Sequence, residues 1–89
     1  GKEYEGDFRD DKPNGVGIVK VDGTVYRGEI KEGFRHGKGS FTTGDGSRYL
    51  GHWKHGKRHG LGVAYDANGS IMFKGLWQDD LAVPDSFLP

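Results

Sequence analysis

Residues 49–62 read Tyr-Leu-Gly-His-Trp-Lys-His-Gly-Lys-Arg-His-Gly-Leu-Gly, and this arrangement of aromatic residues and glycines recurs along the chain about every 23 residues. In the first three units, a glycine follows two residues after the aromatic residue, and a Gly-x-Gly pair follows nine residues after that glycine. A fourth start, at Phe73, carries only the first part of the pattern. A fixed period of this length is the signature of a repeat protein.

A turn dipeptide closes each of the three full units: Asp22-Gly23, Asp45-Gly46 and Asn68-Gly69. These dipeptides favour the positive φ angles of tight turns between antiparallel strands. Each unit is therefore predicted to be two short strands, with Tyr4, Gly6 and Phe8 on one face of the first. Because glycine within a strand allows close approach, we expect the aromatic ring of one hairpin to lie over glycines of another.

The fold predicted from this pattern is all-β: a single-layer, twisted, elongated meander of antiparallel β-hairpin repeats. Glycine recurs too densely for helices, and apolar residues never keep a helical spacing. Repeats are expected over residues 1–80, as units 4–25, 26–48, 49–72 and a partial 73–80. Residues 81–89 form a tail in which Pro84 and Pro89 exclude a central strand. We expect this tail to cap the last hairpin, with a linker or a docking strip as the alternatives.

The composition excludes several classes of protein. The chain has 89 residues, of which 33% are apolar, so one small and marginally stable domain is expected. Its 13 basic and 13 acidic residues cancel, which argues against a nucleic-acid binder. We expect neither a membrane span nor a signal peptide, because the required apolar runs are missing. The absence of cysteine excludes a disulfide scaffold and favours a cytoplasmic location.

The repeat unit resembles the MORN repeat family over about residues 3–80. The best match is Tyr49 to Tyr65, which contains the family's aromatic residues, glycines and Gly-Lys-x-His-Gly-x-Gly segment in order. The sequence departs from the family at Ile30, where an aromatic residue is usual, and at Asp11, where glycine is usual. The resemblance implies a stack of hairpins with an aromatic-lined groove. It also implies scaffolding, dimerisation or cytoskeletal roles, proposed phospholipid binding, and no activity in the repeat itself.

Seven aromatic residues are the candidates for lining a groove that binds a peptide or helix of a protein partner, and Trp53 and Trp77 are the preferred contact residues among them. Packing in the core is the alternative role for each ring, since aromatic residues dominate cores and interfaces alike. The leading hypothesis is therefore a non-catalytic interaction or scaffolding module with these groove residues: Tyr4, Phe8, Tyr26, Tyr49, Trp53, Phe73 and Trp77.

A cluster of basic residues in the middle of the chain supports a second hypothesis, a peripheral membrane module that binds anionic phospholipid head groups. Clustered cations mark a lipid site only when they share one surface, and solvated turns are the alternative. Self-association through exposed hairpin edges, giving a homodimer, is compatible with either hypothesis. The residues of this candidate patch are Arg35, Lys38, Arg48, Lys54, Lys57 and Arg58.

No metal site, cofactor or enzymatic activity is predicted. His52 and His55 should point to opposite faces of a strand, and His36 and His59 hold a repeat position where a structural role is sufficient. The glycine-rich segment ending in Lys57 has Arg58 where a phosphate-binding loop requires Ser or Thr. No nucleophile, base and acid stand out from the repeat background.

Overall fold

The computed structural model describes residues 1–88, and its regular structure consists entirely of β-strands. Each strand pairs in an antiparallel manner with its neighbours in sequence, so the eight strands form one open sheet in chain order. The molecule measures 41 × 24 × 15 Å. The predicted all-β hairpin meander is confirmed. The strands are β1 (Lys2–Arg9), β2 (Lys12–Val21), β3 (Thr24–Lys31), β4 (Phe34–Thr42), β5 (Arg48–Lys54), β6 (Lys57–Tyr65), β7 (Ile71–Gln78) and β8 (Leu81–Ala82).

The turn dipeptides seen in the sequence join successive hairpins. Asp22-Gly23 connects β2 to β3 with φ angles of 46° and 85°, both in the left-handed region that such tight turns need. The loops around Asp45 and Asp66 are longer, and in each loop the aspartate side chain accepts a hydrogen bond from a backbone amide further along the loop. Asp45 Oδ1 accepts from the Ser47 amide at 2.9 Å, and Asp66 Oδ1 accepts from the Ser70 amide at 3.0 Å.

A second set of turns lies inside the hairpins, and the sequence indicated such turns only as the alternative to a lipid-binding cluster. Each consists of two residues with positive φ, and the first of them is Asp, Glu or His rather than glycine. These residues adopt the left-handed conformation at some energetic cost, and Asp does so more readily than most. The turns are Asp10-Asp11, Glu32-Gly33, His55-Gly56 and Asp79-Asp80.

Each of the first three hairpins contains a β-bulge at the same repeat position. In the second hairpin, Gly28 pairs with Gly39 and Ile30 pairs with Arg35, so two steps along β3 oppose four along β4. The first glycine of each Gly-x-Gly pair lies in the bulge, as Gly37 does with a φ of 63°. The Glu29 carboxylate accepts a hydrogen bond from the backbone amide of Lys38 there. The Gly-x-Gly pair therefore combines a bulge glycine with a glycine that faces another glycine.

The core consists of five side chains that lie on the face carrying these facing glycines. The ring of Tyr26 covers Gly39, and a Cβ atom added to Gly39 would overlap that ring. The Tyr26 hydroxyl donates to the Glu29 carbonyl at 2.6 Å, which fixes the ring in place. Tyr26 and Gly39 lie on β3 and β4, which form one hairpin. The tyrosine ring therefore covers a glycine of its own hairpin, whereas the sequence predicted a glycine of another hairpin. The buried core residues are Tyr26, Ile30, Tyr49, Trp53 and Trp77.

The tail runs along β7. Asp79-Asp80 reverses the chain into the two-residue strand β8, so the fourth unit has a short second strand that the sequence did not predict. Beyond it, the Leu88 amide donates to the Lys74 carbonyl at 2.6 Å. The Ser86 carbonyl lies against Gly75. In the preceding hairpin, the equivalent glycine, Gly51, has the backbone of the facing strand in this place. Of the two tail prolines, Pro89 lies outside the described residues.

Replacing Gly39 by Ala should lower the free energy of unfolding by about 1–3 kcal/mol, because the new methyl group would overlap the Tyr26 ring. Gly39 has no positive φ, so backbone strain would not contribute. Gly44→Ala is the matched control, since an added Cβ there meets only the Gly23 carbonyl oxygen at 3.7 Å. Urea unfolding measures both variants, and equal losses of stability would contradict this account of the core.

Candidate interaction groove

A row of aromatic rings crosses the sheet from β3 to β7. Trp53 contacts Tyr26 edge-to-face, with ring centroids 5.5 Å apart, and contacts Tyr49 in the same way at 5.2 Å. Trp77 continues the row with Tyr49 at 5.2 Å and with Phe73 at 5.5 Å. Such pairs contribute about 0.5–1.5 kcal/mol each beyond the area that they bury. The row links tyrosine positions and tryptophan positions of successive units into one continuous surface.

The row is interrupted at the first unit. Tyr4 and Phe8 form a separate edge-to-face pair with centroids 5.0 Å apart, and Phe8 remains 62% exposed. Ile30 holds the corresponding position in the second unit and has no ring to extend the series, although it is buried. The structure therefore joins five of the seven predicted groove aromatics in one row, while Tyr4 packs against the core at one end of that row and Phe8 is largely exposed.

Tryptophan side chains join neighbouring hairpins through the backbone. The indole Nε1 of Trp53 donates to the Gly39 carbonyl at 3.1 Å, and that of Trp77 donates to the Gly62 carbonyl at 3.2 Å. In both cases the acceptor belongs to the preceding hairpin and is the second glycine of its Gly-x-Gly pair. The contact between a ring and a glycine of another hairpin thus exists at the tryptophans, whereas the tyrosines use their own hairpins.

Two arginines lie over these tryptophans. The guanidinium carbon of Arg35 is 4.6 Å from the centroid of Trp53, and that of Arg58 is 4.5 Å from the centroid of Trp77. Each arginine also reaches the turn of the next hairpin: Arg35 Nη2 donates to the Gly56 carbonyl and Arg58 Nη2 donates to the Asp80 carbonyl, both at 2.7 Å. Arginine stacking on aromatic rings is favourable and leaves other N–H groups free to bind.

The six predicted basic residues do not form one patch. Arg35 and Arg58 lie on the aromatic face, and Arg48, which lies over the Tyr65 ring at 5.1 Å, lines the same surface depression as these two arginines. The three lysines are exposed and belong to the opposite face, because each of them alternates with a residue of the aromatic face along its strand. The separation could not be read from the sequence, since the bulges and turns change which face a residue takes. The lysines are Lys38, Lys54 and Lys57.

The aromatic face contains two adjoining depressions. One has a volume of about 430 Å³ and extends from Tyr4 to Phe34, and the other has a volume of about 640 Å³ and extends from Thr43 to Trp77. Arg35 and Phe41 line both, so the depressions meet at these two side chains. We call the two depressions together the groove.

The most accessible apolar side chains of the groove are not those that the sequence indicated. Trp53 and Trp77 are 4% and 7% exposed, so these preferred contact residues are mainly core residues. Phe34 and Met72 line the groove and are 56% and 66% exposed. Both residues lie outside the repeated aromatic positions, so the repeat pattern in the sequence does not indicate them. Their only signal was an apolar residue placed next to a turn, which is weak by itself.

The family model of the MORN repeat matches the chain three times in succession, at residues 4–25, 26–48 and 49–71. The chain belongs to the MORN repeat family. MORN repeats are generally protein or membrane interaction modules and are typically non-enzymatic. A search of curated proteins finds no match to the chain.

Two further findings concern the chemistry of this MORN array. Within residues 1–88, no group of three or more His, Cys, Asp or Glu side chains could hold a metal ion. His36 and His55 have ring centroids 6.4 Å apart but gather no third ligand. The same part of the chain has no helix that is long and apolar enough to cross a membrane.

Burial of the tyrosines affects their ionisation. It raises the pKa of Tyr26 and of Tyr49 to about 12, since a phenolate in either place would be removed from water. The positive charge of Arg58 opposes part of this effect at Tyr49. The protonated phenol is thus favoured in the folded state, where the Tyr26 hydroxyl is a hydrogen-bond donor.

We expect the free energy of unfolding to fall as the pH rises from about 10, the pKa of an unfolded tyrosine, towards about 12, because only the unfolded chain ionises readily in that window. A two-unit pKa difference corresponds to about 3 kcal/mol at most for one tyrosine. In Tyr26→Phe the fall should be smaller. Urea unfolding followed by tryptophan fluorescence measures the slope against pH, and identical slopes for the two proteins would rule out this role of Tyr26.

Proposed function

We propose that this MORN array is a non-catalytic protein-interaction module that holds a segment of a partner protein in the groove. The observation that carries the proposal is the continuity of the two depressions across one face of the sheet, where they meet at Arg35 and Phe41. Binding sites for other molecules are typically concave and mostly apolar, with a few polar groups that fix orientation. A helix or an extended strand of the partner would place apolar side chains against Phe34, Phe41 and Met72.

The rigidity of the groove floor supports this function. The row of edge-to-face rings, the indole hydrogen bonds and the stacked arginines hold the floor in one arrangement before any partner arrives. A preformed surface loses little conformational entropy on binding, so more of the contact energy contributes to affinity. The buried tyrosines and tryptophans shape the groove, while the exposed residues make most of the contact.

Replacing Phe34 and Met72 together by Ser should weaken binding of a protein partner without unfolding the sheet, because both side chains are exposed and line the groove. The control is Leu61→Ser with Leu76→Ser, which removes two exposed apolar residues that lie opposite each other on the other face. Proteins captured from lysate at about 150 and about 500 mM salt are identified by mass spectrometry and tested again as purified partners. Equal loss in both double variants would contradict groove binding.

A second function, contact with an anionic membrane surface, is favoured by one observation on the other face. Leu50, Leu61 and Leu76 are exposed there, and Lys38, Lys54 and Lys57 belong to the same face. Basic residues near an anionic bilayer contribute about 1 kcal/mol each. This candidate uses only part of the basic cluster, because Arg35 and Arg58 lie on the aromatic face.

If the membrane function holds, replacing Lys54 and Lys57 by Glu should abolish sedimentation with liposomes that contain anionic lipid and leave groove binding intact, since the pair lies opposite the groove. Raising the salt from about 150 to about 500 mM should also release the wild-type protein, because screening weakens exposed charge contacts. Neutral liposomes are the control. If the protein sediments with anionic liposomes equally well after the substitutions and at high salt, a head-group mechanism is excluded.

A further inference from the structure

The repeat allows two equivalent arginines to be compared within one molecule. Arg58 makes three contacts with the turn that follows it: its backbone amide donates to Asp80 Oδ1 at 2.8 Å, its Nε lies 3.3 Å from the same oxygen, and its Nη2 donates to the Asp80 carbonyl. Asp80 is the second residue of the Asp79-Asp80 turn. One residue of the next hairpin, Asp80, thus supplies both a side-chain carboxylate and a backbone carbonyl to Arg58.

Arg35 occupies the same position one hairpin earlier, but the next turn offers it a backbone carbonyl and no carboxylate. Its Nη2 donates to the Gly56 carbonyl at 2.7 Å, and Gly56 corresponds to Asp80. No carboxylate among residues 1–88 forms an ion pair with Arg35. A guanidinium has five N–H donors, so most of those on Arg35 are left without a protein acceptor.

There is space for a side-chain Cβ atom at Gly56, beside Arg35. A Cβ atom added to Gly56 would meet only the edge of the Phe34 ring, at 3.6 Å. Arg35 and Gly56 both line the first depression, and Arg35 also lines the second. Burial lowers the pKa of Arg35, and the more distant Asp80 offsets part of that effect. A half-buried, charged and incompletely bonded group therefore lies where the two depressions meet.

We propose that Arg35 is the specificity residue of the groove and binds an Asp or Glu side chain of the partner segment, placed where the Asp80 carboxylate lies relative to Arg58. The proposal rests on the groove function proposed above and adds the chemistry of the partner: an apolar segment with one acidic residue near its middle. Apolar side chains on either side of that residue fill the two depressions. The Trp53 ring beneath the guanidinium holds Arg35 in position for the carboxylate.

Random peptides of about 15 residues, long enough for about four helical turns, are displayed on phage and selected against the full chain. The peptides recovered should carry Asp or Glu flanked by apolar residues. Changing that acidic residue to its amide should weaken binding by about tenfold or more, because a charge-assisted hydrogen bond becomes a neutral one. The Arg35→Gln variant should reduce binding of the acidic peptide by a similar factor and have little effect on the amide form.

The sharpest variant is Gly56→Asp, which supplies a carboxylate from the chain itself. Asp80 has a φ of 72° and Gly56 a φ of 82°, so aspartate is already tolerated in this backbone conformation at the equivalent site. The new carboxylate should form an ion pair with Arg35 and thereby weaken binding of the acidic peptide. Gly56→Asn has nearly the same size without the charge, so any loss caused by bulk is shared by both variants. Circular dichroism checks that both fold.

A small probe tests the arginine separately from the groove. Phenylacetate should shift the Arg35 Nε–H resonance in a nitrogen-proton NMR titration, whereas the uncharged phenylacetamide should not. Gly56→Asp should remove the response and Gly56→Asn should keep it.

Four results would be decisive. Acidic peptides that lose affinity more in Gly56→Asp than in Gly56→Asn support the proposal. Peptides that need Phe34 and Met72 but carry no acidic residue would overturn it and leave the groove function standing. If no peptide is recovered, the groove function is contradicted. If phenylacetate does not shift the Arg35 Nε–H resonance, the proposal is overturned independently of the peptide selection.

Discussion

The structure depends on the packing of a tyrosine ring against a glycine of the facing strand. At Tyr26 and Tyr49, the ring lies where a side chain of the paired strand would otherwise be, and the phenol donates to the carbonyl three residues later. Only glycine permits this approach, because a Cβ atom would overlap the ring. The same requirement explains the facing glycine pairs, such as Gly28 with Gly39. A Cβ atom on either glycine would overlap the facing backbone or the Tyr26 ring.

A second contact makes the hairpins cooperative. The tryptophan of one hairpin bonds to the glycine carbonyl of the previous one, and the arginine of the previous hairpin stacks on that tryptophan. Repeat proteins gain stability from such nearest-neighbour interfaces, so an interior hairpin is held from both sides. Phe8 shows the contrast: it holds the position of Trp53 and Trp77, but in the described structure no strand lies beyond β1, and its ring stays 62% exposed.

The sequence predicted the hairpin meander because it depends on local periodicity. It did not predict the left-handed conformation of Asp10, Glu32 and His55 in the turns within the hairpins, since none of these residue types is a clear signal for that conformation. Two positions that the sequence grouped as one cationic cluster, Arg58 and Lys57, lie on opposite faces because neighbours in a strand alternate. The groove was expected, but its accessible residues depend on burial, which periodicity does not determine.

The groove and the core have the same origin. Glycines remove side chains from the middle of one face, so the aromatic rings sink onto the backbone and leave depressions at the surface. A single-layer sheet has no second layer to fill them. Differences between hairpins then decide the character of each depression. Arg58 has a carboxylate partner within the chain, Asp80, whereas Arg35 bonds to Gly56 and has no carboxylate partner among residues 1–88. A change at one turn residue is therefore enough to convert a structural arginine into a binding arginine without altering the repeat that supports it.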